Sequence, residues 1–263
     1  MSGLVPPRDF DAYFFDLDGT IYLGDRLLPG VEQTIPYLRS IGKKVMFLTN
    51  TTTQTREQCR GRLRQLGLPV PLEEIVTAAS LSALYFRERS ASSVVFAVGE
   101  EPLEAELQNA GIRLTREPLA ATHVLVGMDR AFDYGKLHAA MKAVRNGAIL
   151  IAANPDPFCP VLDDVLPDTW SMVKAIEAAS STNAKFVIGK PSAFYAEKVF
   201  EKVGLPPNRC LMVGDRLETD ILFGLNNGLP TALVLTGAAS AEDMASAGIR
   251  PDYLLKSIDE LCL

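Results

Sequence analysis

The chain contains little histidine and tryptophan, and its cysteines form no metal-binding pair. Among 263 residues there are two histidines, one tryptophan and four cysteines. Because Cys59, Cys159, Cys210 and Cys262 lie far apart, with no C-x-x-C pair, neither a zinc site nor a disulfide framework is indicated. We expect reduced thiols. Residues 1–12 contain no long apolar run, which predicts that there is no signal peptide and that the protein is cytoplasmic.

The sequence also lacks a positive net charge and any apolar run long enough to cross a bilayer. The formal net charge is −6, which argues against a general binder of nucleic acid or of a membrane surface. The longest apolar stretches, such as Ala148–Ala153, have the length of a strand. A small anionic substrate remains compatible with the acidic chain, because a bound cation and one lysine can reverse the local field.

Short apolar runs alternate with helical patterns, and this alternation predicts a parallel α/β fold. The middle of the chain repeats the pattern with strands of its own, so we predict an α/β domain at 80–180 inserted into a core domain at 1–79 and 181–263. Ala78–Ser82 and Ser180–Ala184 are the candidate hinges. The strands predicted for the core are Ala12–Phe15, Val45–Leu48, Phe186–Ile188, Leu211–Val213 and Ala232–Leu235.

Polar residues follow four of these core strands. The segments are Asp16-Leu17-Asp18-Gly19-Thr20, Thr49-Asn50, Gly189-Lys190-Pro191, and Gly214-Asp215 with Asp220 five residues further on. Ligands of an open parallel sheet bind beyond the carboxyl ends of its strands. We therefore expect Asp16, Asp18, Thr49, Lys190 and Asp215 to line one crevice.

These residue types suit phosphoryl transfer. Clustered carboxylates raise one another's pKa unless a cation neutralises them, and a set of oxygen ligands without histidine favours Mg²⁺. A carboxylate can attack phosphorus, and a second carboxyl can supply a proton to the leaving alkoxide. A lysine can balance the charge on the phosphoryl oxygens.

The motifs resemble those of a known family. The stretches FFDLDGT at 14–20, FLTN at 47–50, GKPS at 189–192 and GDRLETDI at 214–221 resemble the four motifs of the haloacid dehalogenase superfamily of phosphatases. The gap of about 140 residues between Asn50 and Lys190 leaves room for an inserted domain. This layout is similar to the NagD-like branch with a type IIA cap, which includes p-nitrophenyl, sugar, phosphoglycolate and pyridoxal phosphatases. The resemblance implies a Rossmann-like parallel-sheet core with an inserted α/β cap domain.

The resemblance also implies roles for three catalytic residues. Asp16 matches the nucleophile, which is also a magnesium ligand. Asp18 matches the general acid and base, and its backbone carbonyl matches another ligand of the metal. Lys190 matches the residue that neutralises both the nucleophile and the bound phosphate.

Four further positions match binding residues of the family. Thr49 and Asn50 match the phosphate-binding turn, and Asp215 matches the acidic metal ligand. Asp220 matches a carboxylate that orients its neighbours. An alternative for Asp220 is a place in the first turn of a helix, where an acidic side chain favours the helix dipole.

The sequence therefore predicts a magnesium-dependent hydrolase of small phosphorylated metabolites. Two alternatives stay open: a phosphotransferase or mutase that uses the same aspartyl-phosphate, and a receiver-like module that is phosphorylated on Asp16 without turnover. The sequence does not reveal the physiological substrate. A homodimer formed through the cap domain is the assembly that we expect.

Selectivity is expected to come from the inserted domain. Its last strand leads into 154–160, where three prolines predict a stiff loop that could present Cys159 to the leaving group. The loop could equally serve only as a connection. Relatives usually have small residues around 167–171, and the single tryptophan, Trp170, departs from that pattern. We expect Cys159 and Trp170 to contact the substrate.

Overall fold

The computed structural model describes residues 7–161 and 164–262. These residues divide into two compact units. The first comprises 7–49, 60–76 and 190–262, and the second comprises 50–59 and 77–189 apart from the two residues that are not described. The domain boundaries at 80 and 180 stay a prediction, and the second unit extends beyond both. Across the described ranges, no helix is both long and apolar enough to cross a membrane.

The strands are numbered along the chain. They are β1 (Ala12–Phe15), β2 (Tyr22–Leu23), β3 (Arg26–Leu27), β4 (Lys44–Thr49), β5 (Ile75–Thr77), β6 (Val94–Val98), β7 (Arg113–Leu114), β8 (His123–Val126), β9 (Ile149–Ala152), β10 (Phe158–Val161), β11 (Asp164–Pro167), β12 (Phe186–Val187), β13 (Cys210–Gly214), β14 (Thr231–Val234) and β15 (Tyr253–Leu255).

The helices are numbered in the same way. They are α1 (Val31–Ser40), α2 (Arg56–Gln65), α3 (Ala78–Arg89), α4 (Glu101–Asn109), α5 (Tyr134–Arg145), α6 (Thr169–Ser180), α7 (Ala193–Val203), α8 (Leu222–Asn227) and α9 (Ala241–Ala247). The predicted α/β class is confirmed by this alternation of strands and helices.

The first unit contains a six-stranded sheet in the order β15-β14-β13-β1-β4-β5. The strands from β15 to β4 pair in parallel. All four residues of β1 are buried, as are all five of β13. A parallel strand buried on both faces reads as a continuous apolar run, which explains why both strands were predictable from the sequence.

The second unit has a parallel five-stranded sheet in the order β12-β9-β8-β6-β7. The prediction that Phe186–Ile188 belongs to the core sheet is wrong, because Phe186 and Val187 pair with Ile151 and Ala152 of β9. The strand is short and only half-buried, so its sequence carries no signal that distinguishes one sheet from the other.

Two segments that the sequence predicts as a hinge and as a loop contain regular structure. Ala78–Ser82 forms the start of α3, where Thr77 caps the helix by accepting a hydrogen bond from the Ser80 amide, and its role as a hinge stays a prediction. The stiff loop predicted at 154–160 ends in strand β10, which pairs with β11 in an antiparallel hairpin. The loop prediction holds for 154–157, and strand pairing with β11 begins at Phe158.

Gly224 in α8 packs directly against β14. A Cβ atom at this position would lie 2.1 Å from Cγ2 of Thr231 and 3.1 Å from the carbonyl oxygen of Leu229. Thr231 is fully buried and β-branched, so it has little freedom to move aside. We expect Gly224→Ala to lower the free energy of unfolding by about 1–3 kcal/mol, measured by urea denaturation.

Gly61→Ala is the matched control for this substitution. Gly61 lies in α2, where, apart from its chain neighbours and the adjacent helix backbone, no atom of the described residues comes within 4 Å of the position that a new methyl group would take. The helix should therefore gain about 0.5–1 kcal/mol from the better helix former. Equal effects of the two substitutions would contradict tight packing between α8 and β14.

Candidate active site

The site lies at the carboxyl ends of three neighbouring strands of the first unit. Asp16 follows β1, Thr49 ends β4 and Asp215 follows β13. Phe15 at the end of β1 lies opposite Val213 in β13 and Phe47 in β4, so the three strand ends are level. The parallel register thus brings polar residues distant in the sequence to one edge of the sheet.

Three carboxylates converge at this edge. Asp16, Asp215 and Asp220 each place an oxygen within 4.8 Å of the others. Asp220 lies in a π-helical turn at Leu217–Ile221 and accepts a hydrogen bond of 3.1 Å from the Arg216 amide. The turn continues directly into α8. A Cβ atom at Gly214 would lie 2.3 Å from that of Asp220, so this approach requires glycine.

Lys190 lies between two of the carboxylates. Its side chain is 1% exposed, and its Nζ atom donates to Oδ1 of Asp16 at 2.6 Å, to Oδ1 of Asp220 at 2.7 Å and to the carbonyl oxygen of Leu48 at 2.9 Å. All three ammonium protons therefore have an acceptor. The strand-end pattern predicts that Asp16, Lys190 and Asp215 lie together. The structure brings these three residues together and adds Asp220 to them.

The electrostatics of the cluster follow from its burial. Burial raises the pKa of Asp16 well above its usual value, with Lys190 opposing this shift and Asp220 adding to it. Burial and then the charge of Asp220 raise the pKa of Asp215 to about 6. Burial alone would lower the pKa of Lys190, but Asp16 and Asp220 outweigh it and raise that pKa above the usual value.

Asp215 is held by backbone that approaches closely. Its Oδ2 atom accepts from the Ala238 amide at 2.6 Å, and its Oδ1 atom accepts from the Thr20 hydroxyl at 3.3 Å. A Cβ atom would lie 2.4 Å from Oδ2 at Gly19 and 2.0 Å at Gly237. Both glycines are therefore needed for the loops to close around this carboxylate.

Asp18 has partners of a different kind. The Tyr22 hydroxyl donates to its Oδ2 atom at 3.2 Å, and Nη1 of Arg62 lies 3.9 Å from its Oδ1 atom. Burial raises the pKa of Asp18, and Arg62 acts in the opposite direction. Sequence reasoning missed both partners. Tyr22 stands four residues after Asp18, which offered a weak signal, but nothing marked Arg62 among the other arginines of α2.

The backbone at Thr49 and the side chain at Asn50 are each engaged. The carbonyl oxygen of Thr49 accepts from the buried Tyr195 hydroxyl at 3.2 Å. Within the second unit, the Asn50 side chain donates to Oδ2 of Asp156 at 3.0 Å, and Asn154 donates to the Asn50 carbonyl at 2.8 Å. The assignment of Thr49 and Asn50 to a bound phosphate stays a prediction.

Cys159 and Trp170 both lie in the second unit. Cys159 is in β10, paired opposite Leu166 of β11. Trp170 is in the first turn of α6 and packs against the apolar core of its unit, with Lys174 Nζ 4.7 Å from the ring centroid. Asp168 caps this helix. Packing thus gives Trp170 a structural role, and contact of either residue with a substrate stays a prediction.

The chemistry of the cluster fits a bound cation. Asp16, Asp215 and Asp220 place carboxylate oxygens close enough together for some of them to hold a metal ion, and the ammonium group of Lys190 bridges Asp16 and Asp220. Uncompensated buried carboxylates are costly, so a further positive charge would stabilise the cluster. Carboxylate oxygens in this arrangement suit a hard divalent ion.

Family models match two stretches of the chain. The model described as haloacid dehalogenase-like hydrolase matches residues 13–113, and one described as HAD-hydrolase-like matches residues 187–261. The acid sugar phosphatase of Staphylococcus aureus is 34% identical over 253 residues, which cover 96% of this chain and 97% of that protein. The chain belongs to the haloacid dehalogenase superfamily.

Other relatives agree with this membership. The sugar-phosphatase AraL of Bacillus subtilis is 35% identical over 246 residues, covering 94% of this chain and 90% of that protein. The crystal structure of 4-nitrophenylphosphatase from Thermotoga maritima matches with a TM-score of 0.92 and 32% identity over 98% of both chains. NagD from E. coli K-12 matches with a TM-score of 0.86 and 30% identity, covering 95% of this chain and 98% of its own. The prediction that the protein is a phosphomonoesterase is confirmed, as is its resemblance to the NagD-like branch.

Lys190 can be tested as the charge that balances the cluster. Lys190→Met keeps most of the aliphatic side chain but leaves Asp16 and Asp220 without their shared cation. Breaking a buried ion pair in this way costs about 3–5 kcal/mol. We expect a loss of this size in the free energy of unfolding, measured in EDTA so that no bound metal replaces the missing charge.

Lys202→Met provides the comparison for this variant. Lys202 is exposed on α7 of the same unit, so its replacement should change the free energy of unfolding by no more than about 0.5 kcal/mol. Comparable stabilities of the two variants in EDTA would refute the balancing role of Lys190.

Proposed function

We propose that the protein hydrolyses small phosphate monoesters, sugar phosphates in particular, through an aspartyl-phosphate on Asp16 and with the aid of Mg²⁺. The observation that carries the proposal is the pairing of Asp16 with buried Lys190 inside the carboxylate cluster. A structural ion pair on its own would not need two further carboxylates at the same strand ends.

The first half of the reaction forms the covalent intermediate. Lys190 donates a hydrogen bond to the Oδ1 atom of Asp16. The other carboxylate oxygen, Oδ2, is our candidate nucleophile. Its oxygen forms a bond to phosphorus while the bond from phosphorus to the leaving oxygen breaks. Asp18 gives its proton to the leaving alkoxide, which departs as an alcohol.

The second half returns the enzyme to its starting state. Asp18, now ionised, takes a proton from a water molecule whose oxygen attacks phosphorus. The bond between phosphorus and the Asp16 oxygen breaks, and inorganic phosphate leaves. Asp18 is therefore acid in one half and base in the other.

Charge balance in both halves comes from Lys190 and the metal site. Lys190 donates to Asp16 and lies where it can offset the negative charge of a phosphoryl group on that residue. We assign Asp16, Asp215 and the backbone carbonyl of Asp18 as magnesium ligands, with Asp220 holding Lys190. Mg²⁺ bound there would neutralise charge on the phosphoryl oxygens.

The names of the relatives favour hydrolysis over phosphoryl transfer to a second metabolite. The curated relatives are an acid sugar phosphatase and a sugar-phosphatase, and the structural ones include 4-nitrophenylphosphatases. These names also support sugar phosphates as the substrate class. A phosphotransferase would use the same aspartyl-phosphate but would pass the phosphoryl group to a second metabolite. Its product would then be a phosphorylated metabolite in place of free phosphate.

The nucleophile is tested by Asp16→Asn. The amide is nearly isosteric with the carboxylate but is a poor nucleophile, so turnover of p-nitrophenyl phosphate in Mg²⁺ should fall by at least about 10³-fold. Wild-type turnover should disappear in EDTA and return when Mg²⁺ is added in excess. The exposed Asp9→Asn serves as the control and should keep wild-type turnover. Residual activity within tenfold of wild type would exclude Asp16 as nucleophile.

The acid role is tested by Asp18→Asn with two leaving groups. A sugar alkoxide needs a proton to leave, whereas p-nitrophenolate scarcely does. We expect phosphorylation of Asp16 by glucose 6-phosphate, monitored by rapid quench, to slow by about 10²–10⁴-fold. With p-nitrophenyl phosphate the same step should change only a few-fold. Equal losses with both substrates would argue against proton donation by Asp18.

A further inference from the structure

Tyr22 is fixed to the loop that carries the two catalytic aspartates. Its amide donates to the carbonyl of Leu17 at 3.1 Å, and its own carbonyl accepts from the Gly19 amide at 2.8 Å. Its side chain is nearly fully buried. The Tyr22 hydroxyl that donates to Asp18 at 3.2 Å is therefore held by a rigid ring.

Arg62 reaches the same carboxylate from helix α2. Its guanidinium carbon lies 4.0 Å from the centroid of the Tyr22 ring, a distance typical of a cation–π contact. Its Nη2 atom donates to the carbonyl of Gly24 at 3.0 Å, in the turn of the β2–β3 hairpin. Stacking and this hydrogen bond fix the guanidinium plane, and its Nη1 atom is left 3.9 Å from Asp18.

We propose that Arg62 and Tyr22 are positioning residues for the general acid and base Asp18. The inference rests on the proposed function, in which Asp18 gives and takes the proton. The Asp18 side chain is 42% exposed and would otherwise sample several rotamers in solvent. Tyr22 contacts one carboxylate oxygen and Arg62 approaches the other, so the two side chains restrict the carboxyl group from both sides.

An arginine suits this place for a chemical reason. The guanidinium group stays protonated at all working pH values, so it can hold the carboxylate without competing as a proton donor. Its planar shape matches both the ring beneath it and the hairpin carbonyl beside it. A lysine could keep the charge but would lose the stacking and the fixed fork of donors.

The experiment is a double-mutant cycle between Arg62→Met and Asp18→Asn. In the wild-type background, Arg62→Met should slow phosphorylation by glucose 6-phosphate by about 10–100-fold, because a misplaced catalytic group costs that much. Phosphorylation by p-nitrophenyl phosphate should change only a few-fold, and KM for both substrates should stay within about threefold. In the Asp18→Asn background, Arg62→Met should add less than about a twofold loss.

Two more variants keep the test decisive if Arg62→Met folds poorly. Tyr22→Phe removes only the hydroxyl and should also selectively slow phosphorylation by glucose 6-phosphate, by about tenfold or less. Arg62→Lys should recover part of the loss seen in Arg62→Met. Arg64→Met, an exposed position on the same helix, should behave as wild type with both substrates.

Several results would overturn the inference. Equal slowing of both substrates by Arg62→Met, or a full additional loss in the Asp18→Asn background, would show that Arg62 acts independently of Asp18. Failure of the proposed function would give a different result. The single variant Asp18→Asn would then show no selective slowing of phosphorylation by glucose 6-phosphate, and the inference about Arg62 would also be wrong.

Discussion

The candidate site depends on the ion pairs and hydrogen bonds that the buried ammonium group of Lys190 makes. Three carboxylates lie within 4.8 Å of one another, an arrangement that repels itself in a low-dielectric environment. Lys190 bonds to two of them and to the carbonyl of Leu48, so the charge is tied to the end of a core strand. Removing water from this lysine is unfavourable, and the adjacent carboxylates and the Leu48 carbonyl compensate for it.

This constraint explains the local sequence around each carboxylate. Asp220 can reach Lys190 because Gly214 leaves no side chain between strand β13 and the π-helical turn. Asp215 is enclosed by the backbone at Gly19 and Gly237 in the same way. Each glycine thus permits a close approach of the backbone to a charged side chain.

The sequence predicts the core strands and the strand-end residues because both signals are local. Strand β1 has the predicted bounds, since a fully buried parallel strand is a continuous apolar run. The sheet to which Phe186–Val187 belongs depends instead on long-range pairing with β9, and two half-buried residues carry no information about it. Arg62 was missed for the same reason: its partners Tyr22 and Gly24 lie about 40 residues earlier in the chain.

Asp16 and Asp18 are two residues apart, yet the fold gives them opposite surroundings. Asp16 follows core strand β1, is largely buried and accepts a hydrogen bond from the ammonium group of Lys190. Asp18 is partly exposed and faces a phenol and a guanidinium held by the β2–β3 hairpin and helix α2. A nucleophile must stay ionised and fixed, whereas an acid and base must exchange protons with substrate and water. In the proposed mechanism, the different neighbours of these two identical side chains therefore let one short loop supply both functions.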